Sequence, residues 1–117
     1  SYYLVLKHRN SIETWSSVGN AFISDTAYYN FASSSSQAFG NNMQQVDTSP
    51  VKFAIYSGDV NQDGVIDLGD ESLIDNDANN FNSGYVHTDV NGDNFVDIAD
   101  LAIVDNNAFN FVSKIIP

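Results

Sequence analysis

Two stretches thirty residues apart carry oxygen-bearing side chains at the same spacing. Asp59-Val60-Asn61-Gln62-Asp63-Gly64-Val65-Ile66-Asp67-Leu68-Gly69-Asp70 and Asp89-Val90-Asn91-Gly92-Asp93-Asn94-Phe95-Val96-Asp97-Ile98-Ala99-Asp100 each place them at positions one, three, five, nine and twelve. Calcium takes six to eight oxygens at about 2.3–2.6 Å, and a short chain supplies them only by wrapping around the ion. The spacing is that of a twelve-residue calcium loop. In the first loop Asp59, Asn61 and Asp63 are side-chain ligands at positions one, three and five. Val65 gives its backbone carbonyl at position seven, Asp67 acts at position nine directly or through a water, and Asp70 closes the shell. The second loop maps as Asp89, Asn91, Asp93, Phe95 by its carbonyl, Asp97 and Asp100. Magnesium fits less well, because it demands a rigid octahedral shell and keeps its waters. Zinc is disfavoured by the absence of Cys and the presence of two histidines alone, His8 and His87. Two Ca2+ ions are therefore expected.

Position six of such a loop turns sharply and calls for a positive φ. Gly64 suits it without penalty, and Asn94 is one of the few other residues that tolerate it. The second loop is on that ground expected to be the weaker. Ile66 and Val96 at position eight are expected to pair the two loops back to back and to enter the core.

The flanks decide what holds the loops. Val51–Tyr56, followed by Ser57-Gly58, reads as a strand with a breaker, and residues 82–88 show no helical period. After each loop the pattern turns helical. Leu73, Ile74 and Ala78 share a face near Phe81; Leu101, Ala102, Val104, Ala108 and Phe109 form a broader stripe. Asp70 and Asp100 fall in the first turn, where a carboxylate suits the helix dipole. Each unit is thus half an EF-hand, with a helix on the exit side alone. The tails Asp75-Asn76-Asp77 and Asp105-Asn106-Asn107 read as solvated faces or partner contacts.

A duplicated loop–helix calcium motif with Asp at position twelve resembles a dockerin, the small module by which secreted bacterial enzymes and scaffold proteins attach to cohesin domains. The resemblance covers roughly residues 57–117. It implies the calcium ligands already named and a protein partner read through loop positions ten and eleven and the outer helix faces. Those loop positions hold Leu68-Gly69 and Ile98-Ala99, not the Ser-Thr pair of many cohesin-binding members. The implied partner is cohesin-like, or an intramolecular β domain.

Residues 1–56 have a different texture. Tyr2–Arg9 and Ser11–Ser16 read as strands with a turn at Asn10-Ser11. Residues 20–24 and 26–31 read as two more, Ser33–Ser36 as loop and residues 37–50 as irregular; Val51–Tyr56 is a fifth strand. The expected fold class is α+β: an N-terminal antiparallel sheet or partial β-sandwich over 1–56, then a dockerin-like pair of calcium loop–helix motifs over 57–117. This β-rich half is also similar to regions that precede dockerin-like repeats in large secreted proteins.

The 117 residues carry a net charge of −11, and eight of the fifteen acids lie in the two loops. Bound calcium would bring that charge to −7. Without metal each loop repels itself, so binding should be coupled to folding. Calcium in thousandfold excess over its dissociation constant contributes about 4 kcal/mol. With no Cys, the metal stands in for disulfide staples. The acidity disfavours nucleic acid, and no apolar run is long enough for a membrane span. The chain begins at Ser1 without a visible signal peptide, which reads as a fragment or processed product; calcium loops of this kind suit an extracellular setting. Nothing in the spacing of His8, Asp25 and the serines makes a catalytic triad, so no enzyme is expected. The leading function is a calcium-stabilised interaction module. The alternatives are a subunit that self-assembles into an extracellular filament or tube as a homo-oligomer through open β edges, and a carbohydrate-binding module using Trp15 and the tyrosines.

Overall fold

The computed structural model describes residues 1–117. The chain forms two compact units. One comprises Ser1–Lys7, Glu13–Tyr56 and Lys114–Pro117; the other comprises His8–Ile12 and Ser57–Ser113. Two helices and two small antiparallel sheets make an α+β fold with a β-rich N-terminal segment. No helix is long and apolar enough to cross a membrane.

The first unit has less sheet than its composition promises. β1 (Val5–Leu6) pairs with β2 (Thr14–Trp15), and β3 (Gln44–Thr48) pairs with β4 (Val51–Ala54) around a Ser49–Pro50 cis turn. The strands expected at 20–24 and 26–31 reduce to two isolated bridges, Tyr2↔Asn20 and Ile23↔Thr26, the second closed by Ser24 and Asp25 at φ 52° and 62°. The serine-rich run and its neighbours form three single 3-10 turns, Phe31–Ser33, Ser35–Gln37 and Phe39–Asn41. Asn30 and Ser34 cap the first two by accepting from Ala32 N and Ser36 N, an alternative to a ladder that short polar side chains offer the backbone. Conversely, residues 44–48 lie in the stretch read as irregular yet form β3. All five are exposed, so no apolar alternation announces them. Part-buried polar bonds knit this unit: Ser16 Oγ accepts from Leu4 N and donates to the Val18 carbonyl, and Tyr29 Oη donates to the Gln37 carbonyl.

In the second unit α1 (Leu68–Asn79) and α2 (Ile98–Phe109) start and stop thirty residues apart, as their loops do. Each starts on a capping box. Asp67 accepts from the first turn of α1 while Asp70 accepts back from the Asp67 N–H, and Asp97 and Asp100 repeat the arrangement. The core is narrow: Val60, Ile66, Ile74, Val96, Val104 and Val112 are buried. Full burial of each such side chain stabilises by about 1.5–3 kcal/mol. Of the apolar helix stripes, Ile74 and Val104 go inside; Leu73, Phe81 and Phe109 stay out, because two short helices can shield one row of side chains each. Gly58, at φ 125°, lies against Val104 and Ile66, where a Cβ would meet their methyls at 3.0 and 3.3 Å.

The loops do not pair with each other. Val65 bridges Ser113 and Ile66 N donates to the Val112 carbonyl, so the first loop pairs with the chain leaving α2. Phe95 bridges Ser83 and Val96 N donates to the Asn82 carbonyl, so the second pairs with the chain leaving α1. This crossed pairing corrects the back-to-back expectation while keeping Ile66 and Val96 in the core. It arises because each helix reverses in one turn: Phe81 and Phe111 adopt φ 55° and 56° and send the chain back along the other loop.

Candidate metal centre

Each loop wraps its backbone around its own carboxylates. Asp59, 2% exposed, accepts from Asp63 N at 3.2 Å and Gly64 N at 3.0 Å. Asn61 Oδ1 accepts from Asp63 N, and Asp63 Oδ1 accepts from Val65 N. Asp70, fully buried, accepts from Asn61 N at 3.2 Å with one oxygen and from Asp67 N at 3.0 Å with the other. The second loop repeats this closely. Asp89 accepts from Gly92 N and Asn94 N, Asn91 from Asp93 N, Asp93 from Phe95 N, and Asp100 from Val90 N, Asn91 N and Asp97 N.

The carboxylates of Asp59, Asp63 and Asp70 come within 4.8 Å of one another, as do those of Asp89, Asp93 and Asp100. Positions one, five and twelve thus gather in both loops. Asp67 and Asp97, at position nine, each spend one oxygen on a helix N-terminus, accepting from Gly69 N at 2.9 Å and Ala99 N at 3.0 Å. Asn61 and Asn91 stand beside the gathered carboxylates, their amides donating to Asp63 and Asp93. Val65 and Phe95, at position seven, each make a single isolated β-bridge, to Ser113 and Ser83. Gly64 and Asn94 both take positive φ at position six, 88° and 72°.

Neither triad has a cationic partner, since the ion pair in the fold is Lys7–Glu13 at 3.4 Å. Burial pushes the Asp59 carboxyl up to about 6, against the lowering effect of the Gly64 N–H, and the charges of Asp70 and Asp63 add to the rise. Burial likewise raises Asp70, offset in part by the N–H groups of Asp67 and Asn61. Carboxylates gathered and buried without a positive charge are unfavourable in water-poor surroundings. A hard cation reverses that balance, and the all-oxygen donor set suits calcium. The residues present therefore fit the metal, which would supply positive charge and a cross-link between the start of each loop and its helix.

Several supporting residues carry no sequence signal of their own. Gln62 and Gly92 at position four also take positive φ, 59° and 78°. Asp77 and Asn107, read as solvated or partner-facing, turn inward. Asp77 accepts from Thr88 Oγ1 at the approach to the second loop, and Asn107 Nδ2 donates to the Ser57 carbonyl at the approach to the first, at 2.7 Å. Each helix thus steadies the other repeat's loop.

Residues 57–109 match the family model of the dockerin type I domain. Domains of that family bind calcium and act as non-catalytic protein-interaction modules. No curated protein and no solved structure matches the chain significantly.

Proposed function

We propose that the chain, whose residues 57–109 match the dockerin type I model, is a non-catalytic, calcium-stabilised docking module that attaches an extracellular protein to a protein partner. On this reading two Ca2+ ions are held, one by Asp59, Asn61, Asp63, Val65, Asp67 and Asp70, the other by Asp89, Asn91, Asp93, Phe95, Asp97 and Asp100. Residues 57–117 do the docking and residues 1–56 form a β-rich segment in front of them. The carrying observation is the pair of acidic triads gathered in two loops of one spacing.

A groove of about 530 Å³ beside the start of α1 and the end of α2 supports a docking site. Val65, Leu68, Phe109 and Phe111 give it apolar walls, and Glu71 and Asp105 give it a negative side. Glu71 is raised by burial and then by the Asp105 charge. The complementary partner presents a lysine or arginine among apolar side chains, as a cohesin-like surface can. Immobilised cohesin domains test this directly. Capture by at least one in millimolar calcium, lost in chelator and weakened by Glu71→Lys, is expected; calcium-independent capture, or none across the panel, rejects it.

A second reading has its own observation. Both sheets have two strands, so every strand is an edge strand, and Tyr2, Ile23, Tyr28 and Val46 are exposed. Edges of this kind pair with other chains. Light scattering in calcium decides it: growth of large species favours self-assembly into a filament or tube, and a strict monomer removes it.

A further inference from the structure

The family match begins at residue 57, yet the unit that holds both loops also takes in His8–Ile12. Asn10 is 2% exposed, and its amide donates to the carbonyls of His87 at 3.2 Å and Asp89 at 3.1 Å. Its own backbone carbonyl accepts from Gly58 N at 2.7 Å. Ser11 bridges Ser57, and the Ser11 carbonyl accepts from Gln62 Nε2 at 3.1 Å; the same Nε2 donates to the Asp59 carbonyl at 2.6 Å. On the other side, Arg9 Nη1 donates to the Val86 carbonyl at 2.9 Å and the guanidinium stacks on Tyr85 at 4.0 Å from the ring centre. Residues 9–11 therefore hold the backbone that leads into Asp59 and the backbone that leads into Asp89 at once.

We infer that Arg9, Asn10 and Ser11 form a clip that couples the two calcium loops, with Asn10 as its central positioning residue. This rests on the calcium reading of both loops. The amide chemistry is specific to the task. Asparagine has two donors and spends them on the carbonyls of residues 87 and 89, while its Oδ1 meets His8 Nδ1 at 2.9 Å. Aspartate has the same shape and no donor. Metal at one loop orders its approach segment, the clip passes that order to the other, and the second ion then binds to a loop with less freedom left to lose. By linkage the coupling is reciprocal.

The test is a double-mutant cycle on the full chain, with calcium affinity at each loop followed through its own backbone amide resonances. Loop two is disabled with Asp100→Ala, and loop-one affinity is measured in the native and the Asn10→Asp backgrounds. In the native background, disabling loop two should weaken loop one by about tenfold, within the usual range of coupling between sites. With Asn10→Asp the same change should fall below about twofold. Equal loss in both backgrounds overturns the clip. If Asn10→Asp does not fold in calcium, Gln62→Asn tests the same claim. It keeps a residue that tolerates positive φ but is too short to reach Ser11, and unchanged coupling there also overturns the clip. Absence of calcium binding at either loop of the unaltered chain would instead reject the metal reading beneath it.

Discussion

If Asp59 is a calcium ligand, as proposed, a proton and the metal ion compete for the same buried carboxylate. Its carboxyl stands at about 6 in the metal-free fold, against an ordinary 3.8. A raised acid means that the fold binds more protons than the unfolded chain between those values. The contribution of Asp59 to metal-free stability therefore falls as pH rises through that window. Calcium takes the ionised form, so its binding releases that proton and strengthens as pH rises. The calcium-induced gain in melting temperature should accordingly grow from pH 5 to pH 7. Melts with calcium and with chelator across that range check it; a gain that does not change with pH contradicts the assignment of Asp59 as a ligand. Position six gives a second residue-scale test. Asn94 holds φ 72°, where glycine carries no steric penalty, so Asn94→Gly should tighten the second loop's calcium affinity a few-fold. Gly64→Ala, at φ 88°, should weaken the first by about 1–2 kcal/mol. Site-resolved calcium titration reads both, and opposite signs for the two changes are the required result.

Two residues past the end of each helix stands a phenylalanine in a conformation that aromatic residues avoid. Phe81 and Phe111 have positive φ and are 90% and 88% exposed, so neither packing nor backbone preference explains them. Phe81→Gly should relieve the turn and stabilise the fold by about 1 kcal/mol. If the ring serves docking, the same change weakens partner capture, and thermal melts beside pull-downs separate the effects; a less stable Phe81→Gly variant defeats the strain argument. The helices and loops were legible because their signals are local and doubled. Five oxygen positions recur at one period, Asp70 and Asp100 place a carboxylate in the first turn of α1 and α2, and Ile74 and Val104 repeat on one face. What escaped was non-local or unmarked. The crossed pairing of Val65 with Ser113 and Phe95 with Ser83 depends on how the two repeats meet, which no single repeat encodes. Asn10-Ser11 read as the turn between two strands that end at Arg9 and begin at Ser11, and nothing in Arg9-Asn10-Ser11 announces carbonyl partners nearly eighty residues away. In the β-rich half, Tyr28 and Phe22 have strand preference but are exposed, and serine and asparagine caps there make 3-10 turns instead.

For the molecule as a whole, charge and fold oppose each other. The chain carries −11 with four basic residues, and its second unit buries Asp59, Asp70, Asp89 and Asp100 around a core of small aliphatic side chains. Self-repulsion of that size destabilises a compact state, and a narrow core leaves little to offset it. Calcium that binds the folded state alone adds stability with the logarithm of its concentration, about 1.4 kcal/mol for each tenfold rise once the sites are filled, and twice that if two ions bind together. Raising free calcium from ten to a thousand times the dissociation constant should therefore add about 5–6 kcal/mol for two coupled sites and half as much for one. Denaturant melts at buffered calcium concentrations measure this slope and so count the ions without structural assumptions. A slope of two ions supports both loops acting together, a slope of one leaves a single loop coupled to folding, and a flat response would mean that the acidic loops stand without metal. The segment over residues 13–56 contains no such acidic triad, so its own melting should not move with calcium. Aromatic ellipticity from Trp15 and its neighbour Tyr3, whose rings lie 5.9 Å apart, reports on that segment separately from the helices.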